Sequence, residues 1–213
     1  LTTINGLLEG LAYDAIPEES KEKSIELMRN ETKRLIRLVN ENLDYEKIRS
    51  GQIELSKTEF DAVQVLNNII KQLRNKAEQV GDKFEVYTPD KLMVYADYDR
   101  LVQIIFNITQ NAIQFTENGV ISISAEKGNE ETIIRISDNG IGMNEEQLRN
   151  IWERYYKADP SRKNTKYGES GLGLSIVHQL MQLHQGSVTV ESEEGKGTTF
   201  TLRFPNKNKL SKI

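Results

Sequence analysis

The segment Asp138-Asn139-Gly140-Ile141-Gly142 places a carboxylate and two glycines directly after an apolar run that predicts a strand over residues 132–137. A carboxylate at the end of a strand can accept a hydrogen bond from an exocyclic amine. The glycines let the backbone approach a flat ring closely, because they carry no Cβ. The segment therefore indicates a pocket for a flat, amine-bearing ring. The alternative is an ordinary glycine-rich turn that begins with Asp.

A second glycine pair, Gly171 and Gly173, lies where the apolar pattern of a helix over residues 172–183 begins. Free backbone N–H groups and the helix dipole favour an anion such as phosphate at the start of a helix. The pair differs from the Rossmann and P-loop patterns, because it has neither a third glycine at the required spacing nor a Gly-Lys-Ser/Thr run. Alone, it is weak evidence for a phosphate site.

Two further polar groups are candidates for a site. Asn107, Asn111 and Gln114 form a row of amides on the helix predicted from Asp99 to Phe115, although solvent-exposed or loop-capping amides give the same pattern. Arg154 and Lys157 are two cations flanked by aromatic residues in the run 151–157. Side chains that only extend their charges into solvent at a helix end are the alternative there.

Alternating strand and helix patterns from Gln52 onward predict the α+β architecture that positions these residues. The predicted strands lie at 53–55, 84–87, 93–96, 120–125, 132–137, 188–191 and 198–204, and the predicted helices at 62–79, 99–115, 145–151 and 172–183. A turn at Gly128-Asn129 joins two of the strands as a hairpin. The polar stretch 155–170 has almost no aliphatic residues and is predicted to be a mobile loop.

The first 50 residues predict an antiparallel helical hairpin. Apolar side chains recur at helical spacing along residues 1–11 and about 18–48, with a turn that contains Pro17 between them. Two such helices cannot bury their apolar stripes alone, so we expect a bundle with a second copy of the chain. Ser50-Gly51 ends the second helix. The expected domains are therefore a hairpin over 1–50, a second domain over 51–206 and a charged tail over 207–213.

Composition excludes several classes of function. The 213 residues include 28 Lys and Arg against 32 Asp and Glu, for a net charge of −4, and no basic block, so we expect no nucleic-acid binding. The lack of cysteine excludes disulfides, thiolate chemistry, Cys-ligated zinc and iron–sulfur clusters. His178 and His184 lie six residues apart and would not share a metal on one helix face. No apolar run is long enough for a membrane span and no signal peptide is recognisable, so we expect a soluble chain without membrane contact.

The order and spacing of the motifs resemble the catalytic region of bacterial sensor histidine kinases. Residues 100–112 are similar to the family's N box, residues 138–142 to its first glycine box and residues 151–157 to its F box, with Trp152 in the usual Phe place. Residues 171–174 and 195–200 resemble the other two glycine boxes, and residues 1–50 resemble the hairpin that precedes the ATP domain. The resemblance implies a two-layer α/β sandwich of the Bergerat type, with ATP between the helices and under the loop 155–170.

The resemblance also implies roles for single residues. Asp138 would accept a hydrogen bond from the adenine amino group. Asn111 would bind the Mg²⁺ that bridges the phosphates, with Asn107 beside it, and Arg154 and Lys157 would contact the phosphates. The other residues of the implied nucleotide site are Gln114, Phe115, Gly140, Ile141, Gly142, Tyr156, Gly171, Leu172, Gly173, Leu174 and Thr198. Gln114 stands where the family commonly has a lysine, and a neutral amide is a weaker contact for phosphate.

For the parent protein the resemblance implies phosphoryl transfer from ATP to a histidine and relay to the receiver domain of a response regulator. It also implies a homodimer and a cytoplasmic location in a membrane-anchored kinase. The family's acceptor histidine belongs to a run that would lie just before Leu1, so we expect this chain alone not to phosphorylate itself. A hydrolytic ATPase of the same fold is one alternative, although it would need a glutamate where this chain has Asn107. A nucleotide-binding docking module without kinase activity is the other.

Overall fold

The computed structural model describes residues 2–13, 15–156 and 171–207. The helices of this part are α1 (Thr2–Ala12), α2 (Glu18–Arg49), α3 (Ala62–Gln79), α4 (Tyr98–Phe115), α5 (Glu145–Asn150) and α6 (Gly173–Leu183). The strands are β1 (Lys57–Asp61), β2 (Lys83–Tyr87), β3 (Met93–Asp97), β4 (Val120–Lys127), β5 (Glu131–Asp138), β6 (Ser187–Glu193) and β7 (Gly197–Pro205). A hairpin of two helices thus precedes a mixed domain.

Five strands form one sheet in the order β2-β4-β5-β7-β6, in which β2 and β4 run parallel and the other neighbours antiparallel. Successive side chains of a strand point to opposite faces. On β4, Ile121 and Ile123 are buried while Ser122 and Ser124 are only half-buried, so one face is apolar and the other polar. Side chains of α3, α4 and α6 join the buried core on the apolar face, which confirms the predicted two-layer α/β sandwich.

The first strand lies further along the chain than its sequence pattern predicts. β1 pairs antiparallel with β3, which sets Lys57 opposite Asp97 and Asp61 opposite Met93. Because β3 is only five residues long, it offers no backbone partner to Ile53. Ile53 packs against the core without strand structure, so the prediction of a strand over 53–55 is wrong. The other predicted strands and helices are confirmed within two residues at each end.

The N-terminal hairpin exposes apolar side chains. Helices α1 and α2 contact each other across a turn in which Ala15 N–H donates to the Gly10 carbonyl. About half of the residue surface remains exposed at six aliphatic positions of these helices, namely Leu8, Ile25, Leu27, Ile36, Val39 and Leu43. The second copy expected from the sequence would cover such positions, and this assembly stays a prediction. At its C-terminal end α2 is different, because Tyr45 and Ile48 are buried in the core of the mixed domain.

The start of α4 is fixed by three contacts of Asp97. Its carboxylate accepts hydrogen bonds from Arg100 N–H at 3.1 Å and Ser56 N–H at 2.8 Å, so Asp97 is the N-cap of the helix. Its own N–H donates to Nε2 of His184, whose Nδ1–H donates to the Leu180 carbonyl. Burial lowers the pKa of His184, which keeps Nε2 unprotonated and able to accept. His184 therefore holds the amide-bearing helix in place.

Candidate functional site

Asp138 ends β5 at the edge where β4, β5 and β7 meet, opposite Ile121 on one side and Thr198 on the other. Its Oδ1 accepts a hydrogen bond from Gly140 N–H at 3.0 Å. Burial raises the pKa of Asp138 to about 6, the N–H groups of Gly140 and Thr198 oppose that rise, and the negative charge of Asp82 adds to it. The Asp138 carboxylate is therefore a partly desolvated hydrogen-bond acceptor at the C-terminal end of β5.

The glycines after Asp138 are required by close backbone contacts. A Cβ on Gly140 would lie 2.1 Å from the carbonyl oxygen of Phe115, the last residue of α4. Ile141 N–H donates to that same carbonyl at 3.1 Å, and Ile141 itself remains partly exposed. A Cβ on Gly142, which has a φ of +65°, would lie 1.9 Å from the Glu193 carbonyl oxygen. The glycines therefore bring the end of β5, the end of α4 and the β6–β7 turn together.

The turn between β6 and β7 supports Asp138 through Gly197 and Thr198. A Cβ on Gly197 would lie 1.9 Å from the carbonyl oxygen of Asp138. Thr198 is buried, and its hydroxyl lies 2.9 Å from Ser192 Oγ, which accepts a hydrogen bond from Met143 N–H. Sequence reasoning missed Ser192, because a serine in an alternating strand carries no signal until the strand pairing is known.

We predict that Gly197→Ala destabilises the protein far more than Gly195→Ala. Both glycines have positive φ, +102° and +79°, so both substitutions strain the backbone by about 1 kcal/mol. Only at Gly197 does the added methyl group also meet a backbone oxygen, whereas a Cβ at Gly195 has nothing within 4 Å. We expect Gly197→Ala to cost about 3 kcal/mol or more in urea unfolding at pH 7. Equal losses for the two variants would contradict the close approach to Asp138.

The amide row on α4 faces the start of α6 at one point. Asn107 Nδ2–H donates to the Gly173 carbonyl at 3.4 Å, and a Cβ on Gly173 would touch the Asn107 side chain. Gln114 Oε1 is buried and has no hydrogen-bond partner in the described part of the chain. Asn111, between them, is half-buried. The structure thus brings Asn107 and the second glycine pair together, and it leaves amide oxygens of the row available to a ligand.

The start of α6 has backbone donors that can meet an anion. The helix begins at Gly173 without a side-chain N-cap, and buried Leu172 and half-buried Leu174 anchor its first turn. The first N–H groups of a helix have no acceptor within the helix. Gly171, with a φ of +70°, connects this turn to the run 151–156, because its carbonyl accepts a hydrogen bond from Tyr155 N–H at 2.9 Å.

The run 151–156 contains residues with different surroundings. Trp152 fills an apolar slot against Phe200, with a distance of 6.0 Å between ring centroids. Tyr156 also packs against the core. Arg154 contacts helix α2, a position that sequence reasoning did not anticipate. Lys157 and most of the predicted mobile loop, residues 157–170, lie outside the described residues.

The predicted site residues therefore form two clusters. Asp138 and the neighbouring glycines lie with Phe115 and Thr198 at the sheet edge, while Asn107 lies with Gly173 at the start of α6. Helix α4 joins the clusters, since it carries the amide row and ends at Phe115. Asp138 and Thr198 also line an open polar depression of about 300 Å³ beside the β6–β7 turn, together with Glu191, Glu193 and Lys196. The family resemblance implies an adenine ring at the first cluster and phosphates at the second.

Comparisons with known proteins agree with the geometry. The family described as histidine kinase-, DNA gyrase B- and HSP90-like ATPase matches residues 96–208. The chain is 54% identical over 205 residues to the sensor histidine kinase YclK of Bacillus subtilis, a match that covers 96% of this chain and 43% of that protein. The chain thus spans less than half the length of this relative.

Two solved structures of histidine kinases are also similar. Full-length ShkA in complex with AMPPNP matches 89% of this chain and 39% of that chain, with a TM-score of 0.78 and 26% identity. The histidine kinase ThkA in complex with the response regulator protein TrrA matches 98% of this chain and 58% of that chain, with a TM-score of 0.76 and 26% identity. Among the described residues, no helix has the length and apolar character to cross a membrane.

Proposed function

The chain belongs to the histidine kinase-, DNA gyrase B- and HSP90-like ATPase family and contains the ATP-binding catalytic domain of a sensor histidine kinase, and from this premise we propose that it transfers the γ-phosphoryl group of ATP to a histidine side chain. The observation that carries the proposal is the side chain one turn before Asn111. Asn107 stands there and donates its amide N–H to the Gly173 carbonyl. A neutral amide cannot take a proton from water, so transfer to an acceptor is favoured over hydrolysis.

We propose that adenine binds at Asp138. The carboxylate accepts from the exocyclic amine, and Gly140 and Gly142 shape the pocket that admits the flat ring. Ile141, partly exposed beside them, and Phe115 provide apolar surface for the ring, and Thr198 supports the carboxylate from β7. Since the site selects its ligand through a buried charged acceptor, a purine with a carbonyl in place of the amine would leave that acceptor unpaired.

The phosphates are proposed to lie between α4 and the start of α6. The N–H groups from Gly171 to Leu174 face them, and Arg154 and Lys157 supply positive charge. Asn111 offers an amide oxygen, the kind of ligand that hard Mg²⁺ takes together with phosphates and waters. Gln114 Oε1, which is buried and has no partner in the described part of the chain, is one amide oxygen on this helix that supports the proposal. When bound, Mg²⁺ neutralises charge on the phosphates, and Asn111 fixes its position.

A phosphate-release assay tests transfer against hydrolysis. We expect the chain, mixed with ATP and Mg²⁺ but without an acceptor, to release inorganic phosphate only slowly, because the residue one turn before Asn111 is the neutral amide Asn107, which cannot activate water. A boiled sample is the control for spontaneous hydrolysis. Rapid release would support the hydrolytic ATPase alternative.

In the whole protein, we propose relay of the phosphoryl group to an aspartate in the receiver domain of a response regulator. The complex of the similar kinase ThkA with a response regulator supports this partner. We further propose that the exposed apolar side chains of the hairpin pair with a second copy, and that the chain is the cytoplasmic part of a membrane-anchored kinase. Copurification of the full-length kinase with a receiver domain would test the partner.

Adenine binding should weaken as pH falls. The Asp138 carboxylate accepts from the amine much more strongly than the neutral acid does, and the pKa of Asp138 is raised to about 6. At pH 5 only about a tenth of the molecules carry the carboxylate, so we expect affinity about tenfold lower than at pH 7. The measurement is titration with adenosine, which has no phosphate that ionises in this range. Affinity that is constant between pH 7 and pH 5 would place the acceptor elsewhere.

A further inference from the structure

Arg154 packs between helix α2 and the side chain of Tyr155, and 30% of its side chain remains exposed. Its Nη1 lies 2.9 Å from Glu46 Oε1, and its guanidinium carbon lies 4.8 Å from the centre of the Tyr45 ring. Its Nη2–H donates to Asn42 Oδ1. These three α2 residues occupy positions 42, 45 and 46, which lie on one helix face. We call Asn42, Tyr45 and Glu46 the α2 receptor.

A second pair of contacts holds the same helix end on the mixed domain. Asp44 Oδ2 lies 3.6 Å from Arg100 Nη1 and accepts a hydrogen bond from Gln103 Nε2 at 3.4 Å. Tyr45 and Ile48 are buried in the shared core. Helix α2 is therefore anchored beside α4, and Arg154 adds a charged contact at the edge of this anchor.

Arg154 is also connected to the glycine segment that starts α6. The next residue, Tyr155, donates its N–H to Gly171 and its hydroxyl to Asn42 Oδ1 at 3.0 Å. Tyr155 has a φ of +62°, a left-handed conformation that is strained for a bulky residue. Gly171 must remain a glycine, because its Cβ would lie 2.8 Å from the Tyr155 backbone. Displacement of Arg154 from α2 would therefore shift the backbone of Tyr155 and, through it, the backbone of Gly171.

We propose that the α2 receptor and the phosphates of a bound nucleoside triphosphate compete for Arg154, so that ATP binding and the docking of α2 at this point oppose each other. This inference rests on the proposed function, because it needs phosphates at the start of α6. The guanidinium carries a single positive charge, and Glu46 already neutralises part of it, so Arg154 attracts a phosphate less strongly while it is paired with α2. Arg154 Nε, buried without an acceptor in the described part of the chain, shows that the contact with α2 leaves this side chain incompletely satisfied.

Thermodynamic linkage relates the affinity for ATP to the docking of α2, and the strength of the Arg154–Glu46 ion pair sets the size of the change. If ATP binding weakens the docking of α2 by a given factor, then complete loss of docking strengthens ATP binding by that same factor. The Arg154–Glu46 pair is only partly exposed, with side-chain exposures of 30% and 43%. A pair of this kind changes an equilibrium by about two- to fivefold. Glu46→Gln, which removes the charge and keeps the shape, should therefore tighten ATP binding by that factor.

Calorimetry with ATP and Mg²⁺ on the wild type, Glu46→Gln and Glu41→Gln tests the inference. Glu41 also lies on α2, where it pairs with Arg37 of the same helix, so its variant controls for loss of one negative charge. We expect tighter binding in Glu46→Gln alone. Because the chain has no cysteine, spin labels on Lys33→Cys and Lys127→Cys report one distance between α2 and the sheet. We expect ATP to change or broaden that distance in the wild type.

The outcomes separate the inference from the proposed function. Equal affinities of Glu46→Gln and Glu41→Gln, with a distance that ATP leaves unchanged, would make Arg154 a fixed contact of α2 and overturn the competition. Weaker ATP binding in Glu46→Gln would also overturn it, since α2 would then help to form the site. A wild type that does not bind ATP at all would overturn the nucleotide site itself, and the competition with it.

Discussion

Asp138→Asn is expected to lower the affinity for ATP by about a hundredfold while leaving the protein as stable as the wild type or more stable at pH 8. The affinity falls because the amide presents an N–H where the adenine amine needs an acceptor, and a hydrogen bond to a charged group contributes about 1.5–3 kcal/mol. The stability of the fold is retained because Asn Oδ1 can still accept a hydrogen bond from Gly140 N–H, as Asp138 Oδ1 does. Isothermal calorimetry at pH 8 measures the affinity.

The stability part of this prediction follows from the raised pKa. A carboxyl group with an ordinary pKa of 3.8 that titrates at about 6 when folded binds protons more tightly in the native state. Ionisation of Asp138 therefore lowers the free energy of unfolding as pH rises from about 4 to 6, and above that range the loss reaches about 3 kcal/mol. Asn has no such cost. The stability advantage of Asp138→Asn should be present at pH 8 and should disappear as pH falls toward 4.

A matched control is Asp90→Asn, the same chemical change at an exposed loop position. It should alter neither ATP affinity nor the pH dependence of the urea midpoint. Undiminished ATP binding by Asp138→Asn would show that the adenine amine is recognised elsewhere. A variant that is less stable than the wild type at pH 8 would show that burial does not destabilise the Asp138 carboxylate.

Asn111→Ala is expected to abolish the effect of Mg²⁺ on ATP binding and to reduce phosphoryl transfer by about 10²- to 10³-fold. Transfer of a phosphoryl group depends on the positioned metal, and loss of one positioned electrostatic contact commonly has an effect of this size. The adenine contacts at Asp138 remain, so ATP without Mg²⁺ should bind the variant and the wild type equally. Calorimetry with and without Mg²⁺, and transfer to an acceptor helix, measure the two effects.

Gln110→Ala is the control for this experiment, because Gln110 is a half-buried amide on the same helix and lies one position outside the row. It should retain the response to Mg²⁺. If Asn111→Ala responds to Mg²⁺ as strongly as the wild type, another residue holds the metal. Asn107 would then be the next candidate, since it lies one turn earlier on the same face.

Much of the fold can be predicted from local patterns in the sequence. The strand β5 and the helix α4 are predicted well because their buried side chains, such as Ile134, Ile136 and Ile105, recur at the spacing of one covered face. β1 is different, because its position depends on the length of its distant partner β3 rather than on its own pattern. Ile53 packs on the core, so the position is apolar without being in a strand. In the sequence, such a residue beside a turn gives the same pattern as a short strand.

The candidate site likewise contains residues that the sequence predicts and residues that it does not. Asp138 and its glycines form a continuous motif, so residue type and spacing are sufficient to find them. Ser192 and the α2 receptor escape detection, because the β6–β7 pairing and the docking of α2 bring residues together that are far apart in sequence. Arg154 shows the limit most clearly. The family resemblance implies a phosphate contact for Arg154, while the structure places its guanidinium on Glu46.

The most direct test of the central claim is transfer of label from γ-³²P-ATP to an acceptor. The chain is mixed with Mg²⁺ and a longer kinase chain that carries the acceptor histidine and an Asp-to-Asn change in its own adenine site. We predict label on the longer chain that is lost in acid and kept in base, as expected for phosphohistidine, and about a hundredfold slower labelling at subsaturating ATP when this chain carries Asp138→Asn. ATP binding without any transfer, in the presence of a folded acceptor, would contradict the account of this chain as a histidine kinase domain.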